Sequence, residues 1–170
     1  MALTLILIRH AKSAWSDPTL DDFDRPLNDR GRKSAPALAN WLVRKGYLPD
    51  VVLVSGARRT VETWERMAPS MPETATMESM PALYHAGSEI ILGALKAQTS
   101  PTVALIAHNP GIAEFAERIV AAAPTHREFQ TYPTAATTVI SFDEPNWSDI
   151  NWAQGTVLDF TVPRDLIDAS

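Results

Sequence analysis

Three short stretches of the sequence combine arginine and histidine in a pattern that could bind and transfer a phosphoryl group. Arg9-His10 follows one apolar run, Arg59 follows a Ser-Gly turn after a second run, and His108-Asn109 follows a third. The planar arginine fork matches phosphate oxygens two at a time. A neutral imidazole is a competent nucleophile near neutral pH, and a second imidazole can donate to the phosphoryl oxygens. These residue types therefore predict phosphoryl chemistry at an anion-binding site.

Each of these stretches lies at the end of a predicted buried strand. The continuous apolar runs 5–8, 51–54 and 102–107 are typical of strands that are buried on both faces of a sheet. In an open α/β sheet, ligands bind beyond the carboxyl ends of the strands, and parallel strands share that edge. We therefore expect the three stretches to converge in space although they are far apart in the sequence.

Helical and strand patterns alternate along the chain and predict one α/β domain over residues 1–170 with a mostly parallel central sheet. Asn28 is expected to cap a helix that ends near Lys45, with Pro36 as a poor fit inside it. Ser88 is expected to cap another helix. Further helices are predicted over about 57–67, 88–97 and from Pro110 through an apolar stripe that reaches Ala123, and further strands over 76–79, 137–142 and 156–162.

The composition excludes several classes of protein. The 170 residues are 45% hydrophobic, enough for one sizeable core, and the net charge of −5 argues against general nucleic-acid binding. The chain has no cysteine, which excludes disulfides, thiolate catalysis and cysteine-based metal sites. The apolar run near Met1 is too short to span a bilayer and lacks the basic region and cleavage site of a signal peptide. We expect a soluble cytoplasmic protein without a membrane or nucleic-acid partner.

Four motifs resemble those of one enzyme family. RHAKS at residues 9–13 resembles the RHG signature of the histidine phosphatase superfamily, which has the phosphoglycerate mutase-like fold. SGARRTVET at 55–63 is similar to the family's Ser, Arg and Thr element, whose spacing selects Arg59 rather than Arg58 for the pocket. LIAHNPG at 105–111 resembles the second-histidine element, and LNDRG at 27–31 resembles the motif that opens the first helix. The resemblance covers nearly the whole chain, is strongest to the small SixA-type phosphohistidine phosphatases, and implies a three-layer α/β/α fold.

The resemblance implies a role for eight residues. His10 would be the nucleophile that takes up the phosphoryl group as phosphohistidine, and Arg9, Arg59 and His108 would neutralise the phosphoryl oxygens. Substrate-binding roles are expected for Lys12, Ser13, Asn109 and His85. The resemblance implies no cofactor and no metal ion. The expected partner is a phosphorylated protein or a small phosphorylated molecule, with phosphate or another oxyanion in the pocket.

The sequence departs from the family pattern at two points. Ala11 stands where the signature has glycine, a small change that still lets the backbone approach closely. No carboxylate stands near residues 83–85, where the family's general acid usually lies. Either His85 replaces the acid or the reaction needs none. A site without an acid should favour phosphohistidine and aryl phosphates over alkyl phosphates, because an imidazole with a protonated remote nitrogen leaves as a neutral molecule.

Other functions stay open from the sequence alone. His10, His85 and His108 could instead bind zinc, although the neighbouring arginines would repel a cation. The chain could also be a phosphate-binding regulatory module with little catalytic activity, or a phosphomonoesterase that acts on small molecules. A mutase is disfavoured because the sequence has no obvious long cap to retain an intermediate.

Several residues outside the motifs have simpler predicted roles. Arg58 is expected in solvent or at the rim of the site, and the acidic segment 21–24 is expected to be a solvated turn. Trp41 and Trp64 are expected in the core. Trp15, next to the first motif, could roof the pocket.

Overall fold

The strands of the protein form one mixed six-stranded sheet in a computed structural model that describes residues 2–167. The strands are β1 (Leu3–Arg9), β2 (Val51–Val54), β3 (Thr76–Ser79), β4 (Thr102–Ala107), β5 (Thr137–Phe142) and β6 (Thr156–Thr161). Their order across the sheet is β3-β2-β4-β1-β5-β6. The first four strands in this order are parallel, and β5 runs antiparallel to both of its neighbours. The prediction of a mostly parallel central sheet is confirmed.

Helices cover both faces of the sheet. The helices among residues 2–167 are α1 (Asp29–Lys45), α2 (Arg58–Met67), α3 (Ser88–Lys96), α4 (Gly111–Ile119) and the short α5 (Pro163–Ile167). Side chains alternate along β1, so that Leu5 and Leu7 pack with α3 and α4, whereas Ile6 and Ile8 pack with α1 and α2. All four side chains are fully buried. The central strand therefore joins two cores, which confirms the three-layer α/β/α fold.

Parallel pairing aligns the carboxyl ends of β1, β2 and β4. Arg9 pairs with Ala107 of β4, and β2 pairs with the other side of β4. The backbone N–H of His10 donates to the carbonyl of Ala107 at 3.1 Å, which continues the alignment one residue beyond β1. His10, Ser55 and His108, the residues that directly follow these three strands, therefore emerge at the same edge of the sheet.

Two predicted helix starts have different outcomes. Asn28 caps α1 as predicted, because its side chain accepts a hydrogen bond from the N–H of Gly31 at 2.9 Å. The helix then continues through Pro36 to Lys45. Ser88, by contrast, does not cap α3 but is its first residue. Its hydroxyl donates to Glu114 of α4 at 3.1 Å, so it links two helices instead of closing the end of one.

The apolar stripe after Pro110 forms a shorter helix than predicted. Helix α4 ends at Ile119, because Val120 adopts an extended conformation with φ −84° and ψ 144°. Val120 pairs there with Gly155 in an isolated parallel bridge. Its side chain is still buried, so the periodicity correctly predicted burial but not the backbone conformation.

The described residues also test the simpler expectations. Trp41 and Trp64 are buried as predicted. None of the helices formed by residues 2–167 is long and apolar enough to cross a membrane. The predicted domain limits, residues 1 and 170, lie outside the described part of the chain, so the extent of the domain and a cytoplasmic location stay predictions.

Candidate active site

A pocket of about 400 Å³ opens at the carboxyl edge that β1, β2 and β4 share. Its walls are formed by Arg9, His10, Lys12, Ser13, Trp15, Arg59, His108, Asn109 and Thr134. Seven of the eight predicted site residues are in this set, and His85 is the exception. A larger groove, lined by residues 121–126 and 155–160, contains none of the eight.

His10 is held in one tautomer at the end of β1. Its Nδ1 lies 2.7 Å from the carbonyl oxygen of Ala11, and a carbonyl can only accept, so Nδ1 carries the hydrogen. Burial lowers the pKa of His10 to about 3, helped by the charges of His108, Arg9 and Arg59 and opposed by the bond to Ala11. The ring is therefore neutral at physiological pH and has its lone pair on Nε2, the form that a nucleophilic histidine requires.

A chain of hydrogen bonds fixes the tautomer of His108. The Thr60 hydroxyl donates to the carbonyl of Ala57 at 2.8 Å, so it accepts from the Ser55 hydroxyl, 3.0 Å away. Ser55 has then used its only hydrogen and accepts from Nε2–H of His108 at 2.7 Å. Nδ1 of His108 therefore carries a lone pair, and this buried atom has no hydrogen-bond partner among residues 2–167. His108 can therefore donate to a ligand only after it takes up a proton or turns its N–H away from Ser55.

Two guanidinium groups place positive charge beside these rings. Arg9 Nη1 donates to the carbonyl of Tyr132 at 3.1 Å. Arg59 is only 6% exposed, and its two Nη atoms donate to the carbonyl and the carboxylate of Asp22 at 2.7 and 3.0 Å. Burial and the charge of Arg59 lower the pKa of Arg9, but an arginine stays charged at neutral pH. The remaining N–H groups can bind phosphoryl oxygens.

Arg58 lies outside the pocket, as the motif spacing predicts. Its guanidinium pairs with Glu65 at 3.0 Å and lies 3.9 Å from Glu62, and its side chain is 46% exposed. One residue along α2 corresponds to a rotation of about 100° around the helix axis. This rotation brings Arg59, and not Arg58, onto the buried side of α2 that meets the pocket.

Asp22 contacts the site, so the expectation of a solvated turn was wrong for this residue. Its Oδ2 accepts from Arg59 at 3.0 Å and from the Tyr84 hydroxyl at 2.5 Å. A carboxylate thus lies against segment 83–85, although that segment has none of its own. Partial burial opposes ionisation of Asp22, but the hydrogen bonds from Tyr84 and Arg59 outweigh it and lower the pKa. Asp22 is therefore ionised at neutral pH and has no proton to donate.

Asn109 lies in the pocket wall, and its side-chain amide nitrogen bonds to a neighbouring loop, so its substrate-binding role stays a prediction. Its Nδ2 donates to the carbonyls of Thr131 and Tyr132 at 3.0 and 3.1 Å. Both hydrogens of the amide are thereby used, and Oδ1 can only accept. Asn109 consequently fixes the loop that also holds Arg9.

Of the other three predicted binding residues, two line the pocket and one does not. Ser13 accepts from the indole N–H of Trp15 at 3.0 Å and keeps its own hydrogen for a ligand. Lys12 is exposed at the rim. His85 is also exposed and lies outside the pocket wall, with its ring tilted by 45° against that of Tyr84 and the ring centroids 4.0 Å apart.

The loop around residues 131–136 belongs to the site, although no motif in the sequence pointed to it. The carbonyl of Tyr132 accepts from Arg9, and Thr134 lines the pocket. The N–H of Ala135 donates to the carbonyl of His10 at 2.9 Å. These contacts use mainly backbone atoms, which is why the residue types of the loop carry no signal of them.

The zinc arrangement considered from the sequence is not formed. Within residues 2–167, no group of three or more metal-ligating side chains is placed so that it could hold a metal ion. His10 and His108 are neighbours with ring centroids 5.2 Å apart, but His85 lies outside the pocket they share.

Comparisons with known proteins agree with this geometry. The sequence model of the histidine phosphatase superfamily, branch 1, matches residues 5–83. The solved structure of a protein assigned as phosphohistidine phosphatase SixA from Nakamurella multipartitia superposes with a TM-score of 0.81 at 28% identity, over 96% of this chain and 97% of that one. The chain therefore resembles the histidine phosphatase superfamily in both sequence and fold. The resemblance predicted from the sequence motifs is confirmed.

Two further proteins are similar to this chain. The protein histidine phosphatase SixA solved with tungstate has the same fold, with a TM-score of 0.78 at 23% identity over 96% of this chain and 99% of that one. An uncharacterized chloroplastic protein of Arabidopsis thaliana is 32% identical over 126 residues, which are 68% of this chain. The matched region spans 58% of the length of that Arabidopsis protein.

One motif of the superfamily has a clear physical reason in this chain. The backbone N–H of Asn28 donates to the carbonyl of Lys12 at 3.0 Å, so the start of α1 packs directly on the pocket loop. A Cβ atom at Gly31 would lie 2.2 Å from that same carbonyl oxygen, so only glycine permits the contact. The helix-opening motif thus supports the loop that carries Lys12 and Ser13.

The two arginines of α2 should have unequal effects on activity. Arg59→Ala should lower kcat/KM by about 100-fold or more, because it removes a charged donor from the pocket. Arg58→Ala is the matched control and should change kcat/KM by less than about 3-fold. Arg59→Lys should not restore full activity, because a point charge cannot reproduce the planar fork. Steady-state kinetics with an aryl phosphate measure these effects, and equal losses at the two positions would contradict this assignment.

The buried neutral histidines should make the protein less stable in acid. The pKa values of His10 and His108 are about 3 in the folded protein, mainly because of burial, against 6.5 for an ordinary histidine. Below pH 6.5 these histidines bind protons in the unfolded chain but not in the folded protein. The free energy of unfolding therefore decreases as the pH falls from about 6.5 towards 3. Each histidine should therefore lower the free energy of unfolding by about 2 kcal/mol between about pH 7 and pH 5.

Urea unfolding in phosphate-free buffer at these two pH values measures the loss. The variants His10→Gln and His108→Gln remove one titrating group each, so each should lose less stability on acidification than the wild type. A pH dependence that is unchanged in both variants would show that neither ring is held neutral by folding.

Proposed function

We propose that the protein is a metal-independent phosphatase that hydrolyses phosphohistidine or a similar phosphorylated substrate through a covalent intermediate on His10. The observation that carries this proposal is the fixed tautomer of His10, with Nδ1–H bonded to the Ala11 carbonyl and the lone pair on Nε2. The similarity in sequence and fold to the histidine phosphatase superfamily supports it. So do Arg9 and Arg59, which line the same pocket and supply positive charge for an oxyanion.

The first step transfers the phosphoryl group to His10. Nε2 attacks phosphorus, a new N–P bond forms, and the bond between phosphorus and the substrate breaks. The electron pair of that bond goes to the leaving group. Arg9 and Arg59 stabilise the negative charge on the phosphoryl oxygens during transfer. The bond from Nδ1–H to Ala11 stabilises the positive charge that develops on the His10 ring.

The second step releases phosphate from His10. A water molecule attacks phosphorus, the N–P bond breaks, and its electron pair returns to Nε2. One proton of the water passes to a phosphoryl oxygen, and inorganic phosphate leaves as dihydrogen phosphate. The balance of the two steps is one phosphohistidine and one water consumed, with one histidine and one phosphate formed.

The protonation of the neighbouring groups favours a leaving group that needs no acid. Asp22 is the carboxylate next to segment 83–85, and its lowered pKa keeps it ionised. The N–H of His108 is bonded to Ser55. The histidine that phosphohistidine releases has a pKa of about 6.5, so its ring is a weak base and leaves as a neutral molecule once the remote nitrogen is protonated. The alkoxide of a serine phosphate needs a proton from a positioned acid.

A substrate panel with purified protein tests the proposal. The wild type should hydrolyse phosphohistidine and an aryl phosphate at least about 100-fold faster than phosphoserine, the size of a typical acid-catalysis effect. His10→Ala should lower turnover of every substrate by about 1,000-fold or more. His126→Ala is the matched control, because that imidazole pairs with Asp165 outside the pocket. It should keep wild-type rates.

Two variants locate any hidden proton donor. His85→Ala should leave slow phosphoserine hydrolysis as it is, because His85 supplies no proton in this proposal. Asp22→Asn weakens the contact to Arg59 and should therefore lower the rates for all substrates by the same factor. A loss confined to phosphoserine in one variant would make that residue the acid. Phosphoserine turnover as fast as phosphohistidine turnover in the wild type would contradict the preference and favour a general phosphomonoesterase. A folded protein with no turnover of any substrate would favour the phosphate-binding regulatory module.

A further inference from the structure

Trp15 is an exposed aromatic side chain that is nevertheless fixed in place. Its side chain is 64% exposed, the largest fraction among the exposed large apolar residues between positions 2 and 167. Its Nε1–H donates to the Ser13 hydroxyl at 3.0 Å, which sets the rotation of the ring. The guanidinium carbon of Arg25 lies over the indole, 4.2 Å from the ring centroid. A large apolar surface is thus presented to solvent in one orientation.

Arg25 is itself held by backbone atoms. Its two Nη atoms donate to the carbonyls of Asp17 and Leu20, each at 3.1 Å. The cation therefore covers one face of the indole and does not swing across the pocket. The exposure of Trp15 must then come largely from the opposite face and the ring edges.

The exposed indole stands in the same pocket wall as the phosphoryl-binding groups. Trp15 lines the pocket together with His10, Arg9 and Arg59. Arg59 and His108 in this wall are each only 6% exposed, which marks them as the floor, whereas Trp15 is at the mouth. A ligand whose phosphoryl group reached the floor would place its leaving group near the mouth, within the range of the indole.

We propose that Trp15 is a specificity-determining residue that stacks on a planar aromatic leaving group, such as the imidazole of phosphohistidine or the ring of an aryl phosphate. This inference rests on the proposed phosphatase function. Two planar rings gain from stacking beyond the burial of apolar area, and a fixed indole loses little freedom when it stacks. The selectivity for aromatic substrates that follows is about 3- to 10-fold in kcat/KM.

The test compares leaving groups that differ in aromaticity but not in their need for an acid. Phosphohistidine and p-nitrophenyl phosphate carry a ring, and acetyl phosphate carries a good leaving group without one. Trp15→Ala should lower kcat/KM for the two aromatic substrates by about 3- to 10-fold and leave that for acetyl phosphate within about 2-fold. Trp15→Phe should restore most of the loss because it keeps a ring at the mouth of the pocket.

Two control variants separate stacking from other effects. Ser13→Ala removes the hydrogen-bond partner of the indole N–H but keeps the indole. Its effect on kcat/KM shows how much of the loss in Trp15→Ala comes from the changed surroundings of Ser13. Leu158→Ala removes another exposed apolar side chain, on β6 away from the pocket, and should not change any rate. If Trp15→Ala lowers the melting temperature strongly, Trp15→Leu keeps the apolar bulk without a ring and gives the same comparison.

The outcomes are distinct. An equal loss for all three substrates, or no loss for any, would overturn the stacking role. A loss seen only with a phosphohistidine-carrying protein, and not with free phosphohistidine, would also overturn it, since Trp15 would then contact a protein surface. Wild-type protein that hydrolyses neither aromatic substrate would refute the proposed function itself, whereas normal wild-type hydrolysis with an unchanged ratio in Trp15→Ala refutes this inference alone.

Discussion

The hydrogen bond from Nδ1–H of His10 to the Ala11 carbonyl is the contact on which the candidate site depends. With the opposite tautomer, Nε2 would carry a hydrogen and could not attack phosphorus. The carbonyl keeps its direction because the surrounding backbone is fixed. The N–H of Ala11 donates to the Thr63 hydroxyl at 3.0 Å, and the carbonyl of His10 accepts from the N–H of Ala135 at 2.9 Å. Three segments that are distant in the sequence therefore determine where one proton lies.

The charges around His10 have two consequences at once. Arg9 and Arg59 supply the positive charge that an oxyanion needs, and together with burial they keep His10 unprotonated. A guanidinium that is 6% exposed, as Arg59 is, would be costly without acceptors, by several kcal/mol. Asp22 provides two acceptors, its carbonyl and its carboxylate, and so lets Arg59 stay buried. The carboxylate that lies next to segment 83–85 thus acts here as the partner of a cation.

Much of this arrangement could be predicted because it follows from local sequence. The apolar runs of β1 and β4 predict buried parallel strands, and such strands bring their carboxyl ends to one edge. The spacing of the motif after β2 assigned Arg59 to the pocket, because one residue along a helix changes the side that a side chain faces. These predictions do not require information on which loops contact one another in the fold.

The features that could not be predicted from the sequence are contacts between segments that are distant along the chain. Asp22 contacts Arg59 and Tyr84 across the fold, and nothing in the acidic segment itself distinguishes it from its exposed neighbours. Asn109 illustrates a second limit, because its type shows that it can donate but not that backbone carbonyls take both hydrogens. The end of α4 illustrates a third, since apolar periodicity reports burial and Val120 is buried in an extended conformation.

Trapping of the covalent intermediate tests the central claim most directly. The protein is mixed with phosphohistidine or aryl phosphate labelled in the phosphoryl group, quenched in denaturant at high pH within the first turnover, and digested into peptides. The account predicts label that is stable in base, lost in acid and attached to the peptide that contains His10, and no such label in His10→Ala. Label on another residue, or complete first-turnover hydrolysis without label on the chain, would contradict the account.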